Sequence, residues 1–371
     1  MIQELAAAGL LLAGPLQPTY LGTAGLEAVR IELSARVEGQ AWPILGRGPA
    51  LHPGDRGDEV SRLRARLVAS DGASLAPMVA PSDPLLFDGE LAIAVRDFQR
   101  RHGLEPDGIV GPATRAELDQ TPLDRLRQIE RTIAARRALP DDLGPRFLLV
   151  NLSALELQAI EVGRPVLTLR VIVGRTDWPT PTLNSAVVGL IAHPFWNVPA
   201  RIARQEVSAR VALDPDYLER LGIEVLSGGA GGQPIDPLGV DWPAFRRGEL
   251  DLRLRQKPGP LNALGEVGIQ FQNPHNICLH DTPDRRLFDR SQRALSHGCI
   301  RVERVRDLAS WLMEIAEEES REHFESALAG GLTEAVRLPA SVPIYIVDWR
   351  VWVDADGTLQ MRPKLYPERT P

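Results

Sequence analysis

The sequence predicts a multidomain α+β protein, with a small bundle of three helices ahead of a β-rich domain that carries a sizeable insertion. Two patterns lead to that expectation. Between residues 51 and 121 apolar side chains recur at helical spacing between glycine- and proline-rich turns, whereas beyond Gly144 the repeat shortens to that of strands. Length agrees, since 371 residues exceed one ordinary core and suffice for two or three.

The composition, 44% hydrophobic and 25% charged, is that of a folded chain. A formal net charge of -7 carries no basic excess, so nucleic acid is not an expected partner. No run approaches the roughly 18 apolar residues of a membrane span. The apolar stretch from Leu5 to Ala13 follows Glu4, where an export signal would carry a cation, and it reads as a helix of the folded protein. Cys278 and Cys299 are the two cysteines, so no disulfide framework organises the fold.

Four segments follow in order. Residues 1–50 form a scaffold piece with short helical patterns. Residues 51–121 give the three-helix bundle: Val60, Leu63 and Leu67 share one helix face, Leu91, Val95 and Phe98 another, and Pro112 opens the third after Gly111. Residues 122–144 read as a connector, a charged helix over Leu123 to Ala138 whose arginines solvate its surface. Residues 145–371 are the β-rich domain, with strands expected at 146–152, 155–160, 167–174, 268–271 and 277–280. A helix is expected from Val305 to Glu318, and late strands around 342–347 and 360–362. Between about residues 199 and 261 the strand rhythm is broken by helical pieces and a Gly228–Gly232 run, as in a lid or a disordered loop.

The bundle carries Gly54-Asp55-x-Gly57-x-x-Val60, Ala94-Val95-Arg96-Asp97-Phe98-Gln99 and Asp107-Gly108-x-Val110-Gly111-x-x-Thr114. These motifs closely resemble the peptidoglycan-binding domain found beside many cell-wall enzymes, with an insertion at Ser70 to Pro84. The resemblance implies affinity for wall glycan or peptide.

The chemistry concentrates at Ser296-His297-Gly298-Cys299-Ile300-Arg301. A cysteine attacks an amide carbonyl as thiolate, which calls for an imidazole to take its proton and donors for the oxygen that becomes negative. His280, 19 residues before Cys299, is the natural base. In an extended segment His297 would share a face with Cys299. Gly298, lacking a side chain, allows close approach, so the amides of Gly298 and Cys299 are candidates for an oxyanion hole. A zinc reading of Cys278, His280, His297 and Cys299 stays open, although their spacing is not that of structural zinc sites.

At these residues the chain resembles the YkuD-type L,D-transpeptidases, and Trp196-Asn197-Val198-Pro199, Pro258-Gly259-Pro260-x-Asn262, His280-Asp281-Thr282-Pro283 and Arg293-Ala294-x-Ser296 extend the likeness to their long, YcbB-like branch. The resemblance covers most of residues 42–371. It implies a β-rich catalytic domain with a capping subdomain at 199–261. It also implies that Cys299 is the nucleophile and His280 the base, the latter held by a backbone carbonyl near Asp281. Ser296, His297, Gly298 and Asp281 would support the site, and Arg301, Trp196 and Asn262 would meet substrate. The implied donor is a tetrapeptide stem of peptidoglycan, acylating Cys299 with loss of D-alanine, and the acceptor a second stem. No metal or organic cofactor is implied, wall-synthesis proteins are the further partners, and the location is the Gram-negative periplasm. Two alternatives remain: hydrolysis of the same thioester, giving an L,D-carboxypeptidase, and a wall-binding scaffold with a vestigial site. The chain departs from the family where Cys278 replaces a tyrosine and His193 an asparagine. The first departure puts a second thiol in position to pair oxidatively with Cys299.

Overall fold

The computed structural model describes residues 22–37, 42–69, 83–229, 231–354 and 356–366. The expected helix at Leu5 to Ala13, and most of the Ser70 to Pro84 segment, lie outside the described residues. The chain divides into two compact units, Met1–Thr168 with Ile346–Pro371, and Leu169–Tyr345.

The first unit holds helices α1 (Ala24–Val37), α2 (Asp58–Ala69), α3 (Gly89–Arg101), α4 (Pro112–Leu118) and α5 (Pro122–Arg137), followed by the antiparallel strands β1 (Arg146–Asn151) and β2 (Glu156–Glu161). Local chemistry fixes the helix starts. The Asp88 side chain caps α3 by accepting from the Leu91 amide, and Thr121 with Asp124 forms a capping box on α5. Helices α2 to α4 close over Val60, Leu63, Leu67, Phe87, Leu91, Val95, Phe98 and Leu118. The buried Gln99 amide ties the bundle together, its Nε2 donating to Asp107 at 2.8 Å, the Ile109 carbonyl at 2.9 Å and Thr114 at 3.1 Å, while its Oε1 accepts from the Gly108 amide at 2.9 Å. Four positions of the recognised motif therefore hold the fold together.

In the connector helix Arg127, Arg131 and Arg137 are exposed, as expected of charges that solvate a face, but Arg125 and Arg136 are not, and the opposite face is buried. Leu26 and Leu33 of α1 share a core with Ile129 and Ile133 of α5 and with Val351 and Met361 of the hairpin Val351–Val353/Leu359–Met361. On the same helix Arg125 is buried against the Glu117 carboxylate and carbonyl, and Arg136 lies over the Trp349 ring at 4.8 Å. Charge alone misled because arginine buries readily when its guanidinium is paired or stacked.

The second unit contains β3 (Arg164–Gly174, from Leu169 on), β4 (Leu183–Ala192), β5 (Trp196–Val198), β6 (Ile223–Ser227), β7 (Pro234–Ile235), β8 (Leu252–Gln256), β9 (Val267–Phe271), β10 (Leu279–His280), β11 (Ala294–Ser296), β12 (Ile300–Val302) and most of β13 (Glu334–Val347). Its main sheet runs β11-β3-β12-β10-β9-β4-β13. The central strands are rich in buried apolar residues, with Ile172, Val173, Ile269, Leu279, Ile300 and Val302 fully buried, as expected where both faces are covered. Helix Val305–Met313 buries Leu308, Trp311 and Leu312. It ends five residues before the expected Glu318; a second helix, Glu318–Gly330, then begins, with Glu318 and Glu319 in its first turn, where the helix dipole favours acids.

The 199–261 insertion is not a disordered loop. Its strands, with β5, form a second sheet in the order β5-β8-β6-β7. A helical run, Ala200–Ile202, a π-helical turn Ala203–Val207 and Ser208–Val211, packs with it around Ile202, Val207, Val211, Val225, Phe245 and Leu254. With a core of its own, the segment is a small subdomain.

Candidate active site

Strand pairing builds the site. Strands β10 and β12 are parallel, with Leu279 opposite Ile300 and His280 opposite Arg301. One step earlier Cys278 lies beside Cys299, and the Ile300 amide donates to the Cys278 carbonyl at 3.0 Å. The two sulfurs are 3.3 Å apart, and the Cys278 amide points at the Cys299 Sγ at 3.4 Å. His280, two residues beyond Cys278, shares its strand face, and a ring nitrogen of His280 lies within 4.8 Å of both sulfurs.

His280 is only 5% exposed. Its Nδ1 lies 2.6 Å from the Asp281 carbonyl oxygen. Since a carbonyl can only accept, Nδ1 holds the proton and Nε2 is left as the acceptor. Burial, reinforced by the Arg301 charge and opposed by that hydrogen bond, drives His280 down to about 3, so the ring is neutral at neutral pH. Cys299 is pulled below the ordinary thiol range by the Cys278 thiol, which donates to its sulfur; burial opposes this, while the Cys278 amide and Arg301 add to it. The same contact, together with burial, pushes Cys278 well up.

Gly298 precedes the thiol with φ +108°, in the region that favours glycine. The turn is braced on both sides: Ser296 Oγ donates to the Cys299 carbonyl at 2.5 Å and accepts from the Gly298 amide at 3.1 Å, and Thr180 Oγ1 donates to the Gly298 carbonyl at 2.8 Å. Of the two amides expected to stabilise an oxyanion, that of Gly298 is therefore engaged by Ser296. The Cys299 amide has no acceptor among the described residues.

The Gly298 turn also breaks the extended geometry on which His297 was expected to share the Cys299 face. The His297 ring packs edge-on to Trp178 at 5.0 Å, with Nε2 2.7 Å from Glu206 Oε1 and 2.9 Å from Arg175 Nη1. One ring nitrogen cannot donate to Glu206 and accept from Arg175 at once. The shorter bond takes the proton, and Arg175 pairs with the Glu206 carboxylate at 3.1 Å. Partial burial pushes the Glu206 carboxyl up, but the bonds from His297 and Arg175 outweigh it and hold the group below the usual range. His297 thus stands outside the Cys278, His280 and Cys299 group, whose donors lie close enough together to share a cation.

The other expected site residues divide. The Asp281 carboxylate accepts from the Glu266 amide at 3.1 Å and faces Arg285 at 3.4 Å, so its backbone, and not its side chain, meets His280. Asn262 is 1% exposed, and its amide serves the Pro194 and Lys257 carbonyls and the Leu264 amide. Trp196 packs against the core of the inserted subdomain. Arg301 lies beside His280 in the sheet register, with a buried Nε that has no partner among the described residues. Sequence reasoning missed Glu206, Arg175, Trp178 and Thr180. The polar cluster Arg175-Thr176-Asp177-Trp178 just after a buried strand was a usable signal, whereas Glu206, 91 positions from His297, gave none.

Fold and site define a β-rich domain that presents a thiol and a neutral imidazole from adjacent strands. The catalytic-domain model of the YkuD L,D-transpeptidases matches residues 145–335, just over half the 371-residue chain, and a peptidoglycan-binding-domain model matches residues 56–118. The chain belongs to the YkuD L,D-transpeptidase family. A Haemophilus influenzae protein provisionally named an L,D-transpeptidase is 32% identical over 231 residues, 62% of this chain; the match spans 45% of that relative, less than half its length. Among solved structures, an L,D-transpeptidase from Xylanimonas cellulosilytica (residues 123-326) is 17% identical, with 81% of this chain and 98% of that one covered at a TM-score of 0.25. L,D-transpeptidase 3 from Mycobacterium tuberculosis, in complex with a faropenem-derived adduct, is 12% identical over 55% of this chain and 60% of that one, with a TM-score of 0.26. Among the described residues no helix is long and apolar enough to cross a membrane.

Proposed function

We propose that the chain is a peptidoglycan L,D-transpeptidase with Cys299 as nucleophile and His280 as its proton carrier. The observation behind this reading is the grouping of the Cys299 sulfur and a His280 ring nitrogen within 4.8 Å, on adjacent strands of the family-matched domain. The Cys299 thiolate attacks the carbonyl of the diaminopimelate residue in a tetrapeptide stem, and the thiol proton passes to His280 Nε2. The Cys299 amide faces the resulting oxyanion. Buried, protonated His280 is a strong acid and surrenders its proton to the departing D-alanine amine, leaving a thioester. The side-chain amine of a second stem attacks that thioester, its proton returning through His280, and the cross-link forms as the sulfur leaves. Arg301 offers a charge for a substrate carboxylate, the three-helix bundle holds the wall, and the work is done in the periplasm, where the substrate lies.

Incubation with a disaccharide-tetrapeptide tests the acceptor. Cross-linked dimer is the expected product; tripeptide alone would mean that water resolves the thioester and the enzyme is a carboxypeptidase. Neither product from folded protein would leave the reading without support.

A further inference from the structure

A second thiol beside a nucleophilic one is not required by acyl transfer, and here it is placed with care. The parallel register that sets Leu279 opposite Ile300 sets Cys278 beside Cys299, and the Ile300 to Cys278 backbone hydrogen bond at 3.0 Å holds the two chains in that register. Neighbouring strands run about 4.8 Å apart, within the roughly 4.4–6.8 Å between Cα atoms that a disulfide spans. Both side chains point to one face, and the sulfurs already touch at 3.3 Å. Backbone movement is therefore not needed for a bond between them.

We propose that Cys278 and Cys299 form a redox modification site, in which a peroxide cross-links the two sulfurs and a dithiol restores them. In the first step the Cys299 thiolate attacks one oxygen of the peroxide, the O–O bond breaks, and Cys299 becomes a sulfenic acid as the other oxygen leaves as hydroxide or alkoxide and is protonated. In the second step the Cys278 sulfur attacks the sulfenic sulfur. The S–S bond forms, the S–O bond breaks, and hydroxide leaves with the Cys278 proton as water. The two thiols lose two electrons and the peroxide gains two. The Cys299 environment favours the first step, because the Cys278 amide and thiol both point at its sulfur and support the thiolate. Proximity favours the second, since the resolving sulfur is in contact before the sulfenic acid forms. Without Cys278 the sulfenic acid would go on to sulfinic and sulfonic acids, which a dithiol does not reverse. The cross-link stands apart from the catalytic reading; only its consequence, silencing of acyl transfer, rests on Cys299 being the nucleophile.

The test uses the full chain and hydrogen peroxide, in a buffer containing a chelator so that no bound cation masks the thiols. Trypsin cleavage after Arg285 and Arg293 places Cys278 and Cys299 in separate peptides. Peroxide treatment should yield one linked species containing both, lost on dithiothreitol treatment. Carbapenem acylation of wild type should fall at least 10-fold with peroxide and return with dithiothreitol. Cys278→Ser, compared with its own reduced form, should lose acylation and stay silent, with sulfinic or sulfonic acid on Cys299. Absence of the linked species in wild type would overturn the proposal without use of any variant, and so would equal recovery of Cys278→Ser and wild type. A linked species that leaves acylation intact would keep the modification site but remove Cys299 as nucleophile.

Discussion

Glu206 of the inserted subdomain and His297 of the segment that carries Cys299 meet at 2.7 Å, although 91 positions separate them in the chain. Arg175 pairs with the same carboxylate, and Arg201, from the same helical run as Glu206, stacks on Trp178 at 3.9 Å. Through these contacts the inserted subdomain holds His297, two residues before Cys299, and the neighbouring turn at residues 175–178. Glu206 sits in a π-helical turn, a distortion that re-aims side chains and is frequent at functional sites.

Replacing Glu206 with Ala should therefore loosen the Cys299 loop. The expected loss in acylation by a soluble tetrapeptide is on the order of 10-fold, since a misplacement well below 1 Å already slows a positioned nucleophile. Glu206→Gln should fall between the two. Because the contact is half-exposed and ionic, high salt should slow the wild type and leave Glu206→Ala unaffected. Equal salt dependence in both would show that the contact does not act on the loop.

His280 makes stability depend on pH. Its folded value, about 3, lies below the ordinary 6.5. Below pH 6.5 the unfolded chain takes up a proton that the folded chain refuses, so stability present above that pH is lost as pH falls towards 3. The loss amounts to a few kcal/mol at most. Urea unfolding should show it between pH 7 and 4, and His280→Gln should flatten the slope in that window. An unchanged slope would mean that His280 is not a buried neutral imidazole.

Gln99 should matter to the helical bundle more than its polarity suggests. Gln99→Leu keeps the volume but strands the Gly108 amide and leaves the Ile109 carbonyl only its bond from Thr114, at a cost of about 1–3 kcal/mol. Hydrogen exchange of residues 89–118 should accelerate, while acylation of Cys299 by a soluble carbapenem stays at the wild-type rate. Unchanged exchange would contradict the structural role given to this motif.

Much of this was legible in the sequence. Helical spacing and turn residues exposed the bundle, the change of period exposed the β-rich domain, and Ser296-His297-Gly298-Cys299 with His280 marked the site. What stayed hidden depends on long-range contacts. Nothing local says that Arg136 finds Trp349, that the insertion closes a core of its own, or that Glu206 reaches His297. Asn262 shows the converse: the motif singled it out for substrate, yet its buried amide is used up bracing a turn. Gly298 explains the difference at His297, because one positive φ reverses the facing that an extended segment would give.

The central claim is that Cys299 is the acyl-accepting nucleophile, and intact-protein mass spectrometry tests it most directly. Wild type and Cys299→Ala, both shown to be folded, are incubated separately with a carbapenem and with a disaccharide-tetrapeptide. The account predicts a covalent adduct on the wild type alone, mapping to residues 294–301. An adduct that persists in Cys299→Ala, or none on reduced wild type with either compound, would contradict it.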